Sequence, residues 1–145
     1  MIAPEFPEDL VWLNTDHSYR LGDLRGRFVL LDFWTYCCIN CMHVVPDLKM
    51  LEERYPELVV IGVHSAKFEN EMRVENIEKA VMRYGIEHPV VVDSGQTLWR
   101  TYGIRAWPSF VLIAPDGEIL GRTSGEGIFS ILVPIMEQLI PEYEK

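Results

Sequence analysis

The chain has 145 residues, 48 % hydrophobic and 24 % charged, with a formal net charge of −9. That length suits one domain over residues 1–145 with a single core. So acidic a chain lacks the clustered Lys and Arg that nucleic-acid phosphates require, and no apolar run reaches the ~20 residues of a membrane span. Nucleic acid and membrane are thus excluded as expected partners. The acidic, Pro-broken start MIAPEFPEDL is unlike a signal peptide, which points to the cytoplasm.

In chain order, VWLNT (11–15) is a candidate extra strand, and FVLLDFW (28–34) reads as a buried one. Residues 38–55 read as one helix with Val44, Val45, Leu48 and Leu51 on a face. LVVIGVH (58–64) is the next strand. Residues 71–84 put Val74, Ile77 and Val81 at helical spacing, and PVVVD (89–93) is again a strand. Thr97 to Tyr102 fits a short helix, and SFVLIA (109–114) a further strand. PDG (115–117) is turn chemistry, so EILGRT completes a hairpin. Ile128, Ile131, Leu132, Ile135 and Leu139 form a closing helical stripe, which Pro134 should kink or restart. Strands alternating with helices before a closing hairpin predict an α/β sheet covered on both faces.

Cys37, Cys38 and Cys41, the three cysteines of the chain, fall within five consecutive residues in TYCCINCMHVVP. Clustering in a reducing compartment favours redox chemistry or metal binding over a structural disulfide. Structural zinc usually takes four ligands, and no second CxxC or paired histidines occur. The helical pattern starts at Cys38, so Cys38 and Cys41 stand one turn apart with Cα atoms ~5 Å from each other, within disulfide range. Cys37 and Cys38 are only ~3.8 Å apart and would need strain to bridge. A helix N-terminus should favour a thiolate on Cys38, while Cys41 sits deeper. Such a pair exchanges disulfides rather than storing one.

The segment LLDFWTYCCINCMHVVP resembles the thioredoxin active-site segment, with Asp32 six residues before Cys38 and Pro46 five after Cys41. YGIRAWPSFVLIAPDGEI (102–119) resembles the segment carrying that family's cis-proline, which falls on Pro108. The resemblance runs from about residue 18 onward. Its inserted helix and lead-in YRLGDLRGRFVLLDFW are similar to the TlpA-like and AhpC/TSA-like branch. WTYCCINCMHVVPDL is similar to the thioredoxin-like domain at the front of NHL-repeat-containing proteins, although NHL repeats are absent here. The resemblance implies a thioredoxin fold: a central mixed sheet flanked by helices, an extra N-terminal strand and an inserted helix.

It implies a thiol–disulfide oxidoreductase in which Cys38 attacks, Cys41 resolves and Asp32 relays the proton of Cys41. Pro108 would present backbone to the bound chain. Trp107 and Trp34 join Pro108 as substrate-binding candidates, with Trp34 also reading as core near the site. Cys37 is a bystander or an accessory thiol. The expected partners are a disulfide-containing protein substrate and a thiol reductant, with no metal or organic cofactor. Three departures stand out: Ile39 and Asn40 replace the usual Gly and Pro, Cys37 replaces a Trp, and Trp107 precedes Pro108 where a smaller residue is usual. His17, His43, His64 and His88 are assigned to the surface or to structure.

Two further readings compete. Thr35 and Cys38 satisfy the TxxC spacing of thiol peroxidases, but Leu31 stands where that motif needs Pro. Cys37 and Cys41 form the CxxxC of a copper-binding module, but no histidine follows His88. A fold kept without redox activity would not need Cys38, Cys41, Asp32 and Pro108 together.

Overall fold

The computed structural model describes residues 1–66, 73–93 and 95–144. Strands β1 (Val11–Leu13), β2 (Phe28–Trp34), β3 (Leu58–His64), β4 (Val90–Val92), β5 (Ser109–Ile113) and β6 (Ile119–Ser124) form one mixed sheet. Their order is β1-β4-β3-β2-β5-β6. β2 and β3 run parallel in register from Phe28↔Leu58 to Trp34↔His64, and β4 continues parallel to β3. β5 is antiparallel to β2, and the edge strands β6 and β1 are antiparallel to β5 and β4.

The uninterrupted apolar run in β2 is explained by its position. A central strand covered on both faces buries every residue, and all seven residues of β2 are buried. The pleat sends Val29, Leu31 and Phe33 to one face, where they meet Ile61, Val63, Leu98 and Tyr102. Phe28 and Leu30 go to the other face with Phe110 and Leu112.

The cysteines introduce two short helices rather than one. α1 spans Ile39–His43 and α2 spans Val45–Arg54, with Val44 as the shared cap. The expected single helix over 38–55 is corrected by Pro46, which has no amide to return to the Met42 carbonyl and so opens the ladder there. Val44 keeps right-handed helical angles, which is why the apolar spacing runs on across the break.

α3 spans Val74–Arg83, and α4 spans Thr97–Thr101. Positions 71 and 72 of the expected helix lie outside the described residues. α5 spans Ile128–Tyr143 as a continuous helix with Pro134 and Pro141 inside it. The expected kink at Pro134 does not divide this helix. Pro134 and Ser130, the two ends of the missing hydrogen bond, are both exposed, while Ile128, Leu132 and Met136 stay buried along the other side. Among the described residues, no helix is long and apolar enough to cross a membrane.

Candidate active site

The site forms where β2 ends. Cys38 is the N-cap of α1, in extended backbone, and its sulfur accepts the Cys41 amide at 3.3 Å. The Cys38 amide in turn donates to the Thr35 carbonyl at 3.2 Å, which ties the cap to the strand end. Cys37 is exposed, Cys38 half-buried and Cys41 buried, all three as thiols. Burial drives the Cys41 thiol far above its ordinary range, reinforced by its hydrogen bond to Cys38 and by the nearby Asp32 carboxyl. The thiol reachable from outside and the thiol held back therefore stand three residues apart, at the two ends of one turn.

Asp32 is 3 % exposed on β2, and burial pushes its carboxyl up to about 8. Its Oδ1 has no hydrogen-bond partner among the described residues. The pleat directs Asp32 to the same sheet face as Leu30 and Trp34, under the cysteine helix. At neutral pH this carboxyl is mostly protonated.

Trp34 is 1 % exposed and packs with Cys41, Met42, Val45, Ile77 and Val81. Its assignment to substrate binding is corrected. The strand pleat points it off the sheet into the layer beneath α1 and α3, so it supports the site from below. Gly62, opposite Asp32 in the register, leaves the room it needs, since a Cβ there would stand 2.9 Å from Trp34 Nε1.

The Trp107–Pro108 peptide bond is cis, and Pro108 is buried. Half-buried Trp107 donates from Nε1 to the Ser65 carbonyl at 2.9 Å and stacks on Trp99 with ring centroids 4.1 Å apart. Ser65 and α4 are themselves tied to buried Asp93, which accepts from Ser65 Oγ at 2.8 Å and from the Leu98 and Trp99 amides at 2.9 Å. Trp107 and Cys38 border the same apolar cluster.

His64 is a site neighbour that sequence reasoning left among structural residues. It is 1 % exposed at the end of β3, and burial lowers its imidazole to about 4, partly opposed by a hydrogen bond to its own backbone. Its Nε2 accepts the Tyr36 amide at 3.3 Å, and its ring stacks on Tyr36 at 5.6 Å. The signal was its position: a polar residue ending the strand beside the motif strand. His88 is also buried, whereas His17 and His43 are exposed and pair with Asp16 and Glu126. Among the described residues, no group of three or more His, Cys, Asp or Glu side chains could hold a metal ion.

A buried thiol one turn from an accessible one, on a thioredoxin-like sheet, defines the class of thioredoxin-like thiol–disulfide oxidoreductases. The chain belongs to the thioredoxin-like family, whose model matches residues 26–119. It is 30 % identical over 140 residues to the thiol-disulfide oxidoreductase ResA of Bacillus thuringiensis, covering 97 % of this chain and 79 % of that protein. It is 50 % identical over 129 residues to the human NHL repeat-containing protein 2, covering 86 % of this chain and 18 % of that protein. The chain spans only 12–18 % of the length of the relatives it matches at 48–52 % identity. Among solved structures, it resembles the thioredoxin-like superfamily protein SPOA0173 at 25 % identity, with a TM-score of 0.88 and 96 % of each chain covered.

Proposed function

We propose that this chain, as one domain over residues 1–145, reduces disulfides in protein partners through the Cys38–Cys41 dithiol. One observation carries this reading: Cys38 is reachable and receives the Cys41 amide, while Cys41 lies buried beside Asp32. The Cys38 thiolate attacks one sulfur of the partner disulfide, whose S–S bond breaks and whose other sulfur leaves as a thiolate. The ionised fraction of Asp32 takes the proton of Cys41 and passes it on to solvent, and the Cys41 thiolate then attacks Cys38. The mixed disulfide breaks, and the partner leaves with two thiols. The two electrons come from the Cys38–Cys41 pair, and the two protons released from its thiols balance those gained by the partner. A thiol reductant then restores the dithiol.

An Asp32 carboxyl raised to about 8 suits that relay, because it can hold or release a proton near neutral pH. Pro108 and Trp107 present the wall against which the partner chain lies. A reducing compartment such as the cytoplasm suits this direction of electron flow.

The test is trapping. Cys41→Ser leaves Cys38 able to attack but unable to be resolved, so it accumulates mixed disulfides that survive alkylation and separate under reduction. Cys38→Ser accumulates none and has no exchange activity. If Cys41→Ser traps nothing while Cys37→Ser abolishes exchange, Cys37 is the attacking thiol and the assignment fails.

A further inference from the structure

Beside the cysteine turn lies a hollow of about 370 Å3, lined by Tyr36, Asn76, Lys79, Ala80, Arg83 and Tyr84. The α3 members stand at positions i, i+3, i+4 and i+7, so one helix face supplies Asn76, Lys79, Ala80 and Arg83. Lys79 and Arg83 are exposed, and neither has an ion-pair partner among the described residues. The acidic residues of α3 near them, Glu75 and Glu78, do not line the hollow. In a chain of net charge −9, two exposed cations without an ion-pair partner among the described residues line one concavity, Arg83 lying 5.9 Å from the centre of the Tyr84 ring.

The far wall of the hollow joins it to the reactive thiol. Tyr36 is two residues before Cys38, and its ring is braced by stacking on buried His64. Tyr36 and Cys38 both border the apolar cluster that contains Ile77 and Val81, the buried side of α3. Ile39, next after Cys38, is 71 % exposed. A chain lying across Cys38 therefore meets an apolar contact at Ile39 and, past Tyr36, two cations.

We propose that this hollow receives the carboxylates of an acidic segment flanking the disulfide of the protein partner. The proposal rests on the exchange reading above and narrows its substrate class. Exposed charges of this kind act mainly on encounter rate and partner choice, and salt screens them. Each exposed ion pair contributes modestly, so two acting together predict a rate advantage of roughly three- to tenfold for an acidic flank.

The experiment measures the second-order rate of reduction of disulfide-linked peptides identical except for acidic, neutral or basic flanks. Wild type is compared with the double variant Lys79→Glu/Arg83→Glu, at roughly 0.02 and 0.5 M salt. The expected result is that wild type prefers the acidic peptide at low salt and loses the preference at high salt. The double variant loses or reverses that preference, while its rate on the neutral peptide is unchanged. Equal rates on all flanks in wild type, or an acidic preference kept by the variant, overturn the proposal. A preference shown by glutathione disulfide but not by the acidic peptide overturns the assignment to a protein segment. Failure to reduce even the neutral peptide would instead overturn the exchange reading.

Discussion

One face of the sheet carries two neighbouring cores that differ in kind. In the first, Phe28, Leu30, Leu48, Leu51, Phe110, Leu112, Ile128, Leu132 and Met136 pack β2, β3 and β5 against α2 and α5. Its buried members are nearly all hydrocarbon. In the second, Trp34, Cys41, Val45, Ile77 and Val81 pack the same sheet against α1 and α3. Around this core lie buried Asp32, His64 and His88, with Asp32 Oδ1, Trp34 Nε1 and His88 Nε2 lacking hydrogen-bond partners among the described residues, while His88 Nδ1 stands 3.5 Å from Glu52 Oε1. Buried polar atoms without partners cost about 1–3 kcal/mol each. The first core stabilises the fold, and the second gives up some of that stability at the end where the thiols meet.

The largest expected effect breaks the first core alone. Leu48 is 0 % exposed, and Leu48→Ala should cost about 2–5 kcal/mol, read as a lower denaturant midpoint with an unchanged slope. Exchange per folded molecule should stay within a factor of two, because α2 carries none of the reacting groups. A loss of exchange out of proportion to the folded fraction would mean that the two cores are one functional unit.

The next effect reads the second core through pH, with two groups of opposite sign. Asp32 folded holds its proton up to about 8, whereas an unfolded Asp loses it near 4. The folded state binds more protons between those values, so this group makes stability fall as pH rises from about 4 to about 8. His64 folded stays neutral down to about 4, whereas an unfolded His gains its proton near 6.5. Here the unfolded state binds more protons, so this group makes stability rise from about 4 to about 6.5. Each slope is at most about 1.4 kcal/mol per pH unit. The two offset below about 6.5 and leave only the Asp32 decline above it. Relative to wild type, Asp32→Asn should gain stability as pH rises toward about 8, and its exchange should lose the inflection there. His64→Gln, which keeps an acceptor for the Tyr36 amide, should show the decline from pH 4 upward. Parallel pH profiles for wild type and both variants would show that neither group titrates as its burial requires.

The two cores also differed in how far the sequence disclosed them. The apolar runs at 28–34 and 58–64 coincide with β2 and β3, because a strand buried on both faces has no room for alternation. Asp32 was legible as one carboxylate inside such a run. The break at Val44 was not, since apolar periodicity is blind to a missing amide at Pro46. Trp34 read as core near the site and His64 as surface or structural, but that the two meet was not legible, because which neighbour each meets is decided by the register Trp34↔His64. Nothing in the sequence set Lys79 and Arg83 apart, because only the fold brings Tyr36 to line one hollow with them.

The smallest expected effect sits at the surface of the second core. Cys37 is exposed, and it precedes the cap residue rather than occupying the cap. The 3.3 Å contact to the Cys41 amide and the link to buried Cys41 both belong to Cys38. Cys37→Ser keeps a small polar side chain at an exposed position, so stability should change by no more than about 0.5 kcal/mol. Exchange with a peptide disulfide should stay within twofold, and mass mapping of the oxidised protein should show the Cys38–Cys41 bridge in variant and wild type alike. A larger fall in exchange, or a bridge to Cys37 in wild type, would move the chemistry outward by one residue. The buried thiol beside Asp32 would then resolve a bond to Cys37 across the turn, and the cap geometry of Cys38 would serve only to end a strand and start a helix.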